Sequence, residues 1–337
     1  MEFRARSRSS FQGIWLRELT VKQYTSHGMD NSLESLVVLH DEVATALFEG
    51  RGVVALETTI VVQGLPAPTN LEVARQCEAA VRAGGSVPAT IGILDGSIIV
   101  GLTIEQVEEL ASPSRNAAKL SARDLGVALA SGVDGATTVA GTIAVAHRVG
   151  IDVMATGGLG GVHRDAVRSF DESADLTAMS RTPVLVVASG VKSILDIGAT
   201  LERLDSLGVP IAGFRTRKFP GFYRSDSGYE LDWSLESAEE AARAFLHHRR
   251  FSPTGFLVAN PVAEEHQLDG ALHDQALESA LQKAQLLGVT GREVTPVLLA
   301  EFARFSEGRS VQVNKDLVVS NAGLAGHIAA EVSRARR

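Results

Sequence analysis

From about Leu33 onward the chain alternates between short solid apolar runs and longer stretches with helical spacing. Apolar runs closed by Gly, Ser, Asn or Asp read as strands buried on both faces, the pattern of a parallel sheet. This predicts strands over Gly52 to Leu56, Pro88 to Leu94, Ser97 to Val100, Ile151 to Ala155, Val184 to Ala188, Pro210 to Phe214 and Gly255 to Ala259, with helices in the intervals. Asp95-Gly96 reads as the tight turn between the second and third of these. Ser237-Ala-Glu-Glu240 predicts a capping box that opens a helix from Glu239 to Arg249. Thr295-Pro296 predicts an N-cap with proline at the first helical position.

No Pro- or Ser-rich linker and no fixed-period repeat interrupts this alternation, so the expectation is an α/β fold with a single large domain over residues 33–335. With 337 residues, 45% of them hydrophobic, the chain can bury a large core. The first 28 residues differ, carrying Arg4, Arg6, Arg8 and a Ser-rich patch without hydrophobic periodicity. They read as a disordered leader or an overlong start, with Met29 as the alternative start. Glu2 and Glu18 argue against a mitochondrial transit peptide, and no secretory apolar segment is present.

Charge and cysteine content narrow the partners. A net charge of −8 with scattered Lys and Arg argues against an extended nucleic-acid surface but is compatible with a local anion pocket. Cys77 is the only cysteine, which excludes an intrachain disulfide framework and a cysteine-based zinc site and fits a reducing, cytoplasmic interior. The apolar stretch from Ala136 to Ala146, bounded by Asp134 and His147, is too short to cross a bilayer, so no membrane span is expected.

Candidate chemistry gathers after the strands, where parallel sheets bind ligands. Glu57 with Thr58 and Thr59, the segment Thr156 to His163, Lys192, Arg215 with Thr216, and Asn260 each follow a strand and are expected to converge on one sheet edge. Lys192, in Ala188-Ser-Gly-Val-Lys-Ser-Ile-Leu-Asp196, follows five apolar residues, and a lysine held at such a strand end can attack a carbonyl as a free amine. An exposed lysine at a helix start is the alternative. Gly157-Gly-Leu-Gly-Gly161, leading to His163 and Arg164, suits backbone contact with an anion such as phosphate. It fails as a nucleotide fingerprint, because His163 stands where a third glycine belongs, and Gly190-Val-Lys-Ser193 lacks the P-loop glycines.

Further along, Asp171 and Asp175 are four apart and would share a helix face. They suit a hard cation such as Mg²⁺ or Mn²⁺, while Asp171 as a simple helix cap remains the alternative. Gly135-Ala-Thr-Thr-Val-Ala140 reads as the opening of an apolar helix whose amides and Thr138 hydroxyl could receive phosphate oxygens, with Lys119 as a balancing cation or merely an exposed lysine.

Taken together, Ala55-Leu-Glu-Thr-Thr-Ile60, Val87-Pro-Ala-Thr-Ile91, Asp134-Gly-Ala-Thr-Thr-Val-Ala140, Ala155-Thr-Gly-Gly-Leu-Gly-Gly-Val-His-Arg164, Phe170-Asp-Glu-Ser-Ala-Asp-Leu176 and Ser189-Gly-Val-Lys-Ser-Ile-Leu-Asp196 resemble the pseudouridine-5'-phosphate glycosidase family, also called indigoidine-synthase-A-like. The resemblance runs from about Val53 to Glu331. It implies a three-layer α/β/α sandwich, a homotrimer, Mn²⁺ as the usual metal, and reversible conversion of pseudouridine 5'-phosphate and water to uracil and ribose 5-phosphate. By position it implies Lys192 as the Schiff-base nucleophile, Glu57 as proton donor and Asp171 as metal ligand. Substrate contacts would fall on Lys119, Val139, Ser173, Ala174 and Asp175, with Thr138 and Thr156 beside them, and His163 would transfer a proton or shape the pocket. Gln63 before Gly64-Leu65-Pro66 departs from an expected histidine, and Asn260-Pro261-Val-Ala263 lacks a second proline; neither removes a catalytic group. A lysine-dependent aldolase or lyase on another phosphosugar, and a non-catalytic phosphosugar-binding protein, are the competing readings.

Overall fold

The apolar runs become the centre of a single sheet. In a computed structural model that describes residues 36–289 and 294–337, the strands are β1 (Val37–Leu39), β2 (Val53–Leu56), β3 (Val87–Leu94), β4 (Ser97–Val100), β5 (Ala118–Leu120), β6 (Gly135–Thr137), β7 (Val153–Ala155), β8 (Leu185–Ala188), β9 (Ile211–Phe214), β10 (Ser234–Leu235) and β11 (Phe256–Ala259). Residues 1–28, read above as a leader, lie outside the described residues. The spatial order is β1-β4-β3-β2-β7-β8-β11-β9-β10, with β6 pairing to β3 and β5 to β6. From β3 to β10 every neighbour pair along this order is parallel. β4 and β6 pair antiparallel with β3, and β1 and β5 run parallel to β4 and β6; β4 reverses through the predicted turn, where Asp95 (φ 50) and Gly96 (φ 74) both take the positive φ that a tight hairpin requires.

Every residue of β2, β3, β7, β8 and β11 is buried, which is why these strands lack an alternating pattern. The helices are α1 (Asp41–Phe48), α2 (Thr69–Ala83), α3 (Ile104–Ala111), α4 (Leu125–Ala130), α5 (Val139–Arg148), α6 (Ala166–Ser169), α7 (Ala174–Met179), α8 (Ile197–Ser206), α9 (Ala238–His248), α10 (Gly270–Leu287), α11 (Val294–Phe305) and α12 (Arg309–Arg336). Helix α12 crosses β2, β7 and β8 and packs against α2 and α9, while α5, backed by α7, covers β2, β3 and β7 from the other side. This is the expected α/β/α layering. Its core includes Ile91, Ile93, Val186, Val187, Leu257 and Ile328, all fully buried, and each such side chain contributes about 1.5–3 kcal/mol of transfer free energy. Among the described residues no helix is long and apolar enough to cross a membrane.

All seven predicted strands are present with ends shifted by at most two residues, and several local expectations need correction. Gly135 to Ala140 does not open as helix: Gly135–Thr137 is strand β6, Thr138 is the cap, and α5 begins at Val139. Ser237 does cap α9 by accepting the Glu240 amide at 3.1 Å, but Glu240 returns its carboxylate to the Glu236 amide, so only half of a capping box forms. Helix α11 begins at Val294, which places Thr295 and Pro296 inside its first turn rather than at the cap.

Candidate active site

Because β2, β7 and β8 are adjacent and parallel, the residues that follow them, Glu57, Thr156 and the loop to Lys192, emerge side by side at one sheet edge. Lys192 is not at a helix start. Residues 189–196 form a loop braced by bridges from Val191 to Leu159 and from Gly190 to Gly221, and α8 begins only at Ile197, capped by Asp196. Gly190 (φ 75) is required in this loop, since a Cβ there would lie 2.0 Å from the Pro220 carbonyl oxygen. Lys192 is thereby fixed at the cavity wall rather than on a mobile helix end.

A cavity of about 360 Å³ opens at this edge. Its wall includes Lys192, Glu57, His163, Asp171, Lys119, Thr138, Val139, Ser173, Ala174 and Asp175. Thr156, the remaining residue singled out from the sequence, lines a second and less polar lobe instead. The two lobes share Glu57, Thr59, Lys119 and Lys192, so the acid and the lysine stand at their junction. Arg215, Thr216 and Asn260 also follow parallel strands but line neither lobe; Arg215 turns its guanidinium to the Glu236 carbonyl at 3.1 Å.

Charges at the junction act on one another. Burial pushes the Glu57 carboxyl above the usual carboxylate range, against the opposing pull of Lys192, the Thr156 hydroxyl and Lys119, and Asp175 adds to the rise. Thr156 donates its hydroxyl directly to Glu57 Oε1. A carboxyl whose pKa is raised in this way holds its proton to higher pH than an exposed one, which suits a general acid. Burial lowers the His163 pKa, with Asp171 opposing and Lys119 and Lys192 reinforcing, so the imidazole is neutral and better placed to accept a proton than to donate one. Its Nε2 lies 3.8 Å from Asp171 Oδ2.

The two aspartates do not share a helix face. Asp171 precedes α7, whose cap is Ser173, so the capping alternative for Asp171 falls away. Asp175 is buried and accepts the amides of Ala140 at 2.9 Å and Gly160 at 3.0 Å, clamping the start of α5 to the glycine loop. Gly160 is needed there because a Cβ would come within 2.2 Å of Ser173 Oγ. This clamp narrows the amides open to an anion: the Ala140 amide is taken by Asp175, the Gly141 amide faces Thr138 Oγ1 at 3.4 Å, and the loop amides of Leu159 and Gly160 bond within the protein. Asp175→Asn would keep one acceptor and turn an NH₂ toward an amide. It is expected to destabilise the chain by about 1–3 kcal/mol, measured by denaturant unfolding.

Among the described residues no group of three or more His, Cys, Asp or Glu converges as a metal cage. Of the cavity carboxylates, Glu172 is paired with Arg203 at 2.8 Å, Asp175 accepts two amides, Asp124 accepts the Ser121 amide at 2.9 Å and Glu57 accepts the Thr156 hydroxyl, while Asp171, 3.8 Å from His163, is the one suited to a cation. One carboxylate with a water-rich shell fits Mg²⁺ or Mn²⁺ and does not fit zinc.

Three residues of the second lobe were missed in the sequence: Phe222, Leu299 and Asn314. Phe222 holds φ 65, a strained value for a bulky residue, and its ring stacks edge-on with Tyr223 at 4.6 Å. Asn314 is buried, and its Oδ1 has no hydrogen-bond partner. Gln63 lines the same lobe and donates to the Ala117 carbonyl at 3.2 Å. A buried amide oxygen without a partner beside a ring and apolar walls suits a flat heterocycle with its own donors.

Comparison with known proteins gives a consistent picture. The family model described as indigoidine synthase A like protein matches residues 42–331. A pseudouridine-5'-phosphate glycosidase from Salinispora tropica is 56% identical over 290 residues, covering 86% of this chain and 89% of that protein. The protein of the same name from Streptomyces griseus is 50% identical over 308 residues, covering 91% and 94%. Among solved structures, the prealnumycin C-glycosynthase AlnA in complex with ribulose 5-phosphate superposes with a TM-score of 0.83 at 40% identity, covering 90% of this chain and 100% of that one. An indigoidine synthase A-like protein from Thermotoga maritima gives 0.81 at 37% identity, covering 89% and 97%.

Proposed function

The chain belongs to the indigoidine synthase A-like family, and on that basis we propose that it is an enzyme cleaving the carbon-carbon glycosidic bond of pseudouridine 5'-phosphate to uracil and ribose 5-phosphate. One observation carries the reading beyond the names of its relatives: Glu57, half-buried and with its pKa raised, and Lys192 meet where a polar, charge-lined lobe joins a less polar one. A phosphosugar suits the first lobe, and a pyrimidine the second, with the Asn314 amide facing its edge. The experiment is uracil release from pseudouridine 5'-phosphate, set against unphosphorylated pseudouridine and against a phosphosugar aldol; cleavage of the aldol alone would favour the aldolase reading.

The chemistry follows from the leaving group. Uracil departs through carbon, so protonating a heteroatom on it does not make it leave, and the electron sink must be created at the sugar. Glu57 gives a proton to the ribose ring oxygen as the C1'–O4' bond opens, and the Lys192 amine bonds to C1'. His163, held neutral, accepts the proton that the lysine nitrogen sheds. C5 of the uracil first takes a proton, and the C1'–C5 bond then breaks as the nitrogen lone pair forms a C1'=N iminium, the bond's electrons restoring the C5=C6 double bond of the departing uracil. Water hydrolyses the imine, releasing ribose 5-phosphate and restoring Lys192. Lys119 supplies positive charge opposite the phosphate, and Thr138 lines the same wall.

A divalent ion, Mn²⁺ or Mg²⁺, belongs to the same proposal and would be held by Asp171 with water filling the rest of its shell, supplying positive charge for substrate oxygens. Asp171→Asn is expected to leave thermal stability in metal-free buffer nearly unchanged while activity becomes poor and recovers only at raised Mn²⁺. Equal activity of variant and wild type across a Mn²⁺ titration would remove the metal assignment. A homotrimer in solution, read by light scattering, completes the proposal.

A further inference from the structure

We propose that Asn321, on α12, is a positioning residue for this reaction: it ties together the ends of three adjacent strands, one leading to the nucleophile Lys192 and one to Thr156, the hydrogen-bond partner of the acid Glu57. Its side chain is fully buried. The Nδ2 group donates to the Thr156 carbonyl at 2.8 Å and shares its hydrogens between the Gly157 carbonyl at 3.3 Å, just past β7, and Ser189 Oγ at 3.1 Å, just past β8, whose hydroxyl in turn lies 3.3 Å from Oδ1 as a donor. Oδ1 accepts from Asn260 Nδ2 at 2.9 Å, just past β11. One amide therefore spans β7, β8 and β11 at the catalytic edge. Thr156 passes the constraint on, because the residue whose carbonyl Asn321 holds is the one whose hydroxyl bonds Glu57. On the other side, Ser189 begins the loop that ends at Lys192, and its own amide donates to the Gly157 carbonyl at 2.9 Å.

A buried amide at a helix-sheet interface can also be structural only, satisfying carbonyls that would otherwise be stranded. The two roles differ in what they move. A structural residue changes the fraction folded; a positioning residue changes turnover of the folded enzyme and the environment of Glu57, and does so through Thr156. Displacements well under 1 Å at a reacting group reduce rate steeply, and a 1 Å error costs about 10²-fold.

The inference rests on the proposed function for its kinetic arm but not for its spectroscopic one. Wild type, Asn321→Ala, Thr156→Val and the double variant are compared as full-length chains, with Asn321→Ser, which keeps one donor, standing in should the alanine variant not fold. The kinetic arm reads kcat and KM for uracil release. Asn321→Ala is expected to lower kcat between about 10- and 100-fold with KM little changed, and to have much less effect once Thr156 is valine, since residues acting through one contact are non-additive. The spectroscopic arm follows the Glu57 carboxyl by NMR on ¹³C-labelled glutamate, assigned with Glu57→Gln. Both single variants should move its titration upward, because each weakens the hydroxyl that favours the charged form. Independent, multiplying losses of kcat, or a Glu57 titration that responds to Thr156→Val but not to the Asn321 variant, would overturn the positioning role. A wild type that releases no uracil would instead overturn the functional reading, leaving the titration to decide this one.

Discussion

Lys192→Ala is expected to fold normally and to lose uracil release by roughly 10⁴-fold or more, the scale on which covalent catalysts fail when their nucleophile is removed. The expectation comes from the geometry of the loop rather than from the lysine alone. Gly190 and the bridges to Leu159 and Gly221 fix the backbone on both sides, so truncating the side chain at the cavity wall leaves the supporting contacts in place. Thermal melting should therefore stay close to wild type. Lys192→Arg is the sharper comparison: it keeps the positive charge near Glu57 but offers no nucleophilic amine. It should be as inactive as alanine; activity near wild type in Lys192→Arg would mean that Lys192 serves only as a charge, and in Lys192→Ala that neither its amine nor its charge is needed.

Glu57→Gln is the second large effect. The amide is nearly isosteric and can still receive the Thr156 hydroxyl, so fold and substrate affinity should persist while turnover falls about 10²- to 10⁴-fold, the usual contribution of a general acid. The wild-type pH profile carries the sign. A carboxyl raised by burial is protonated below its shifted pKa and ionised above it, so kcat should hold through mildly acidic pH and decline as pH rises through that point. In Glu57→Gln that basic-side decline should disappear along with most of the rate. Near-wild-type turnover would mean that another group opens the ribose ring, and His163, neutral by burial, would then have to be reconsidered.

Much of the fold was legible because burial on both faces leaves solid apolar runs, and each such run of the core became a strand. The missed strands show where that signal ends. β6 is Gly-Ala-Thr, with no bulky residue, and is held by tertiary partners: the Thr137 amide donates to Thr58 Oγ1 at 2.9 Å, and the Thr137 hydroxyl to the Ile91 carbonyl at 2.8 Å. β1, β5 and β10 are two or three residues long, too short for any period to register.

The site divides in the same way. Residues after strands were visible because strand ends announce themselves. Asn314 and Asn321 were not, since they lie inside a long helix. Their signal was nevertheless present: they are seven residues apart in the apolar stripe that includes Val313, Leu317, Val318 and Leu324, and a polar residue in such a stripe is buried. The glycine loop has a second physical reason that the sequence did not show: besides lining both lobes, it lets the protein's own Asp175 and Ser173 approach closely.

The central claim is that Lys192 carries the sugar, and borohydride reduction during incubation with ribose 5-phosphate addresses it most directly. Reduction would convert the imine to a stable amine, and the account predicts the added sugar phosphate, by peptide mass spectrometry, on Lys192, with none formed in Lys192→Ala. An adduct on Lys119 or elsewhere, or an unmodified Lys192 in enzyme that is releasing uracil from pseudouridine 5'-phosphate, would contradict it.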